Sequence, residues 1–134
     1  MNYSIDKEIW KEIEGYEGLY EVSNFGNVRS LDRLVEYTGK RSGTLSKMKG
    51  KPLKPYGDGR GYLKVKLGRT RSVSVHRLVA EAFIPKVKGK DIINHIDNNR
   101  INNIVSNLEW VTPKENVHHA MKQGRMRRKQ RTNE

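Results

Sequence analysis

His95 closes the apolar stretch "DIINH", Asn107 opens "NLEWV", and Asn116 lies in "TPKENVHHA". These are side-chain types that phosphodiester hydrolysis can use. A water must lose a proton near pH 7, and an imidazole with an unperturbed pKa of ~6.5 can accept it. The imidazole must present a basic nitrogen. A carbonyl oxygen that accepts from its other N–H fixes that tautomer, and an asparagine supplies one. Negative charge growing on phosphate and leaving oxygen calls for a cation, most simply Mg²⁺. That ion takes oxygen ligands and keeps waters, so one or two side-chain oxygens suffice. His95 as base, Asn107 as its orienter, and Asn94 with Asn116 as metal ligands make a consistent set. The competing account is a plain polar loop, in which Asn98, Asn99, Asn102 and Asn103 are turn formers explained by loop conformation.

Positioning such a set takes strands and a helix. "DIINH" and "NLEWV" read as short strands, and an antiparallel pairing across the intervening loop brings positions 95 and 107 side by side. The helix after them is strongly signalled: Thr112 as N-cap, Pro113 at the first turn, Glu115 completing a capping box, and Gly124 as a stop. Upstream, "HRLVAEAFIP" reads as a helix with Leu78, Val79, Ala82 and Phe83 toward the core and Pro85 ending it. "GYLKVKLGRTRSVSVH" alternates as a hairpin. Leu63, Val65 and Leu67 share one face, Tyr62, Lys64 and Lys66 the other, and Val73 and Val75 return to the apolar side after the "GRT" turn. Residues 8–31 read as a small β-module with Tyr20 and Val22 alternating, "SNFGN" as a turn, Val28 and Leu31 resuming the pattern, and Trp10 and Ile13 covering it. Residues 36–60 are poor in apolar side chains and rich in Gly, Lys, Ser and Pro, which predicts a linker or long loop.

Composition bounds the partners. The chain has 134 residues, 34% of them hydrophobic, enough for one domain with a small core. It has no cysteine, which excludes disulfides and Cys-ligated zinc and fits a reducing interior. No apolar run reaches membrane-spanning length and "MNYSIDKEIW" lacks a signal-peptide core, so a soluble protein of the cell interior is expected, with no membrane partner. The formal net charge is +12. It is uneven: residues 6–21 hold six acids and two lysines, leaving +16 on residues 22–134. Such a surplus favours a polyphosphate partner through counterion release. The lysines of the hairpin beside Tyr62 suit a backbone-contacting face, although an ordinary solvated face has the same composition. Six basic residues and no acid between Lys122 and Arg131 make a tail suited only to an anion.

"INHIDNNRINNIVSNLEWVTPKENVHHA" resembles the catalytic motif of HNH endonucleases of the phage and intron-encoded homing type, which have a ββα-metal fold. "VHRLVAEAFIP" resembles the segment leading into that motif, and "WKEIEGYEGLYEVSNFGNVRSL" the nuclease-associated modular motif found N-terminal to it. The resemblance implies His95 as general base, Asn107 as the asparagine orienting it, and Asn116 as the metal-binding residue of the last helix. The family often has a metal-ligating aspartate before the histidine, where this chain has Asn94, a weaker ligand. His119, three residues after Asn116, is a reserve catalytic candidate, and His118 and His76 are candidates for DNA contact with Lys64, Lys66, Arg69, Arg71, Arg77 and Arg100.

The expectation is therefore an α+β chain: an N-terminal β-module over 1–35, a basic linker over 36–60, a hairpin, short helix and HNH ββα-metal unit over 61–124, and a basic tail over 125–134. The function implied is a DNA endonuclease using Mg²⁺ or Mn²⁺ on double-stranded DNA, with no small-molecule cofactor. One site nicks as a monomer, and a double-strand cut needs a dimer or a second binding event. For a phage-encoded protein the compartment is the host cytoplasm. The alternatives are a non-catalytic DNA-binding protein on the same scaffold, which Asn94 favours, and a basic RNA-binding or assembly protein, which leaves the His95–Asn107–Asn116 set unexplained.

Overall fold

A computed structural model of the chain describes residues 7–36 and 43–122. Ten strands and two helices follow in order: β1 (Trp10–Glu12), β2 (Tyr20–Ser23), β3 (Val28–Ser30), β4 (Arg33–Glu36), β5 (Leu45–Met48), β6 (Tyr56–Gly57), β7 (Leu63–Leu67), β8 (Arg71–Ser74), α1 (Val75–Phe83), β9 (Ile92–His95), β10 (Leu108–Val111) and α2 (Pro113–Lys122). They form four small antiparallel sheets, β1-β2-β3, β4-β5, β6-β7-β8 and β9-β10, a mixed α and β architecture. No helix among the described residues is long and apolar enough to cross a membrane.

Alternation places Val22, Val28, Val65 and Leu67 inward, and α1 adds Val75, Leu78, Val79, Ala80 and Phe83. Ala82, expected in the core, is only half-buried, and Ala80 takes the inner position instead. All of these residues join Ile93, Leu108 and Trp110 in a single cluster. The expected boundary between an N-terminal module and a later unit is therefore not a boundary in the core. Tyr20 of β2 accepts a hydrogen bond from Gly68 N at 2.8 Å, and Lys11 of β1 donates to Ala82 O at 3.2 Å. A core this small favours sharing, because each fully buried valine contributes only about 2 kcal/mol.

The described part of the expected linker is also ordered by pairing. β5 pairs along all of β4, and residues 51–53 run beside β3 through Ser30 N–Lys51 O and Leu53 N–Val28 O bonds. A segment so close to a sheet must satisfy its backbone groups there, whatever its composition. Gly50 permits the approach, since a Cβ at that position would lie 2.3 Å from Ser30 O. Residues 37–42, near the start of that segment, and the basic tail lie outside the described residues.

The "SNFGN" turn between β2 and β3 reaches the far end of the chain. Asn24 is fully buried. Its carbonyl accepts from Val105 N at 2.8 Å, while its side chain accepts from Ile9 N at 2.7 Å. Gly26 has φ +90°, and a Cβ there would meet the Cβ and carbonyl oxygen of Asn103 at 3.0 Å. Gly15 has a similar φ of +86° but open space around it. Gly15→Ala should therefore lose only the left-handed backbone penalty, about 1 kcal/mol. Gly26→Ala should lose about 2–4 kcal/mol, because overpacking adds to that penalty. Denaturant midpoints measure both, and equal losses would show that the Gly26–Asn103 approach carries no energy.

Candidate active site

β9 and β10 pair with Leu108 opposite His95 and Glu109 opposite Asn94. Residues 96–104 loop out between them, and residues 105–107 form a 3-10 turn leading into β10. Inside the loop Asp97 is the hub. It accepts from Asn99 N (2.8 Å), Asn102 Nδ2 (2.8 Å) and Asn107 Nδ2 (2.9 Å). The Asn102 amide foremost, then the Asn99 N–H and the Asn107 amide, holds this carboxyl below its usual range, so it stays ionised. Asn98 takes the left-handed conformation at φ 69°, which asparagine tolerates better than most residues.

The imidazole of His95 is buried, and its Nε2 lies 2.8 Å from Asn103 Oδ1. An amide oxygen only accepts, so Nε2 carries the proton and Nδ1 is the basic nitrogen of the neutral ring. This corrects the expectation for Asn107. Its Oδ1 accepts from Asp97 N (2.9 Å), and its Nδ2 donates to Asp97 Oδ1 and to Asn102 O (2.9 Å each). Asn107 thus fastens the two ends of the loop, and Asn103 holds the His95 ring. Turn formation accounts for Asn98, Asn99 and Asn102 as expected. Asn103 is the exception, and nothing in the run "NNRINN" distinguishes it.

Around His95 stand two rings. His76 packs edge-on at 5.2 Å between centroids and Tyr62 lies at 5.8 Å, with Tyr62 and His76 themselves 5.1 Å apart. Burial pushes the His76 pKa down to about 4, and positive charge on His95 and Arg77 acts the same way against a partial opposing pull from Asp58. His76 is therefore neutral at pH 7.

Asn94 is buried, and its Nδ2 donates to Glu109 Oε2 at 2.8 Å, which orients the amide. Asn116 sits in the first turn of α2. The capping box forms there as expected, with Thr112 N to Glu115 Oε1 at 2.9 Å and Glu115 N to Thr112 Oγ1 at 3.1 Å. α2 packs on β9 and β10 yet buries none of its residues, and His118 is exposed on it. His119 Nε2 is buried without a hydrogen-bond partner. Among the described residues no group of three or more His, Cys, Asp or Glu side chains is placed to hold a metal. The donors on offer are amide oxygens of Asn94 and Asn116, with the Glu109 carboxylate beside the first and an unpartnered imidazole nitrogen one turn beyond the second. That set fits a hard, largely hydrated divalent cation.

The candidate DNA contacts separate into two groups. Lys64 and Lys66 lie on one face of β7 with Ser72 and Ser74 across from them, Tyr56 beside Lys64 and its hydroxyl bonded to Ser72, and Arg69 in the adjoining turn. Arg71 pairs with the inward-facing Leu67 instead and lies 5.9 Å from the Tyr16 ring, and Arg77 bonds Glu81 at 3.3 Å. Both line a groove with Glu12, Glu14 and Glu17, so acids answer their charge.

The NUMOD4 motif matches residues 8–105. An uncharacterised HNH endonuclease of Acanthamoeba polyphaga mimivirus is 39% identical over 126 residues, 90% of this chain and 28% of the relative. The DNA endonuclease I-HmuI of Bacillus phage SP01 is 37% identical over 118 residues, 86% of this chain and 59% of the relative. The chain thus spans less than two thirds of these relatives. A solved structure of DNA binding and cleavage by the HNH homing endonuclease I-HmuI superposes with a TM-score of 0.63 at 38% identity, covering 87% of this chain and 59% of that one.

His76 makes folding stability depend on pH. Unfolded, it takes a proton near 6.5, but in the fold only near 4, so between these values the unfolded state binds more protons. Stability should fall as the pH drops from about 6.5 to about 4, by about 2 kcal/mol since the ring stays partly solvated. His76→Phe keeps a ring and should flatten the slope in urea titrations. An unchanged slope would refute the assignment.

Proposed function

The chain belongs to the NUMOD4 motif family, and from that membership and the geometry at His95 we propose that it is a metal-dependent DNA endonuclease of the HNH homing type. The observation that carries this reading is the hydrogen bond between His95 Nε2 and Asn103 Oδ1, which leaves Nδ1 as the basic nitrogen. That nitrogen takes the proton of a water attacking phosphorus. Asn116 and Asn94 would hold a Mg²⁺ or Mn²⁺ ion, with Glu109 supplying negative charge next to Asn94. When bound, the ion supplies charge neutralisation at the phosphate and the leaving 3′ oxygen. His119, with its unpartnered Nε2, is the further donor on the helix. β9, β10 and α2 act as the ββα unit of the family.

Double-stranded DNA lies across the outer face of β6-β7-β8, where Lys64, Lys66 and Arg69 meet backbone phosphates. The ribbon β4-β5, with Leu34 and Leu45 about two-thirds exposed, has the two-stranded form that a major groove admits. One site cuts one strand, so a monomer nicks, and the phage and viral sources of the relatives support a host cytoplasm as the compartment. A second reading, a DNA-binding protein without activity, is favoured by the neutral Asn94 where a carboxylate binds a cation better.

Supercoiled plasmid separates the two. With Mg²⁺ the protein should convert it to open circles, EDTA should stop the reaction, and His95→Ala should slow it by about 10²–10⁴-fold, the usual range for a general base. Asn103→Ala should cost more rate than Asn94→Ala, whereas Asn94→Asp should lower the Mg²⁺ concentration needed for half-maximal nicking. Equal nicking by the wild type and His95→Ala would overturn the catalytic assignment, and plasmid binding without nicking would favour the second reading.

A further inference from the structure

Tyr62 joins the hairpin to the catalytic loop at a place that neither the base nor the metal set accounts for. Its ring meets those of His95 and His76. It also carries the Arg100 guanidinium, whose carbon lies 4.9 Å from the ring centroid. Arg100 is fastened there twice more: Nη1 donates to Arg60 O at 2.6 Å, and its Cδ packs where a Cβ on Gly61 would come within 3.3 Å. Gly61 has φ +95°, so the backbone turns in a way that only glycine adopts readily, and the approach is open because it has no side chain. The turn presenting Tyr62 is itself pinned by Asp58, whose carboxylate accepts from Arg60 N (2.7 Å) and Tyr62 N (3.2 Å).

Arg100 stands three residues before Asn103 in the same loop. Holding Arg100 therefore holds the stretch that carries the His95 acceptor, while the same tyrosine ring, 5.8 Å from the imidazole, limits how that imidazole can tilt. We infer that Tyr62, clasped by Arg100, is a positioning residue for the catalytic imidazole, fixing the ring and the loop that orients it as one body. Arg100 then acts mainly through this clasp, not as a free contact to the DNA backbone. The stack keeps the guanidinium plane in place, and a charge-assisted bond to a carbonyl outlasts a solvated one. The inference rests on the nuclease reading for its kinetic consequence alone; its structural consequence can be read without any cleavage.

The test uses the full chain and four variants: Tyr62→Ala, Tyr62→Phe, Arg100→Ala and Arg100→Lys. In DNA-free protein labelled with ¹⁵N-histidine, the buried Nε2–H of His95 should give a slowly exchanging imidazole signal. Tyr62→Ala and Arg100→Ala should broaden or lose it, and Tyr62→Phe, which keeps the ring, should restore it. In Mg²⁺-dependent plasmid nicking the two alanine variants should lower kcat by about ten- to hundredfold with KM within about twofold, as displacement of a catalytic group does. Arg100→Lys should recover only part of the rate, since an ammonium cannot stack flat on a ring. Arg100 is exposed, so its alanine variant carries the test if Tyr62→Ala fails to fold. An unaltered imidazole signal in Arg100→Ala overturns the inference. So does a raised KM at unchanged kcat, which would make Arg100 a phosphate contact. A responsive signal in a protein that never nicks plasmid supports the clasp and sinks the nuclease reading instead.

Discussion

Everything at this site depends on where one proton sits. His95 is buried, so neither ring nitrogen can rely on bulk water, and an unmatched polar atom there would cost about 1–3 kcal/mol. Asn103 Oδ1 settles the matter by accepting from Nε2. Asn103 is itself buried, so the pair exists only if the loop delivers the amide to within about 3 Å of the ring. The rest of the molecule can be understood as the means of delivering it: Asp97 and Asn107 cross-brace the loop from within, and the β2–β3 turn supports it from behind.

Under the proposed reading, the second histidine shows why His95 and not its neighbour would serve as the base. The two rings are 5.2 Å apart, close enough that a charge on one discourages a charge on the other. Burial has already taken the charge from His76, which leaves a neutral, rigid wall beside the working ring. A cation at His76 would repel a protonated His95. The lysines of β7 put positive charge on the outer face of the hairpin and not inside the ring cluster.

Much of this was legible in the sequence, and the limits have physical causes. Period-two alternation gave the β7–β8 hairpin. The Thr112–Glu115 box gave the start of α2, because capping is local chemistry between residues three apart. His95 stood out through its strand and its partners in type. Asn103 did not, since its task is set by a ring eight residues away and by Gly26 across the fold, and one asparagine in a run of turn formers looks like the next. Arg71 and Arg77 carried the charge expected of DNA contacts, yet alternation across the β8 pairing and an i,i+4 acid turn them to another face. The segment 43–60 looked structureless because its strands bury little; backbone pairing, invisible to a hydropathy pattern, orders it.

The N-terminal segment is accordingly more than an appended module. Its buried residues share one cluster with α1 and the β9–β10 pair. Its turn donates no catalytic group, but Asn24 O takes Val105 N and Gly26 leaves room for Asn103, so the polar loop is braced by backbone from outside itself. A loop of nine residues with only its own hydrogen bonds would pay its ordering entropy alone. Here that cost is spread over a core that must form anyway. The family match, residues 8–105, likewise runs from the N-terminal strands through the stretch that carries His95 and Asn103.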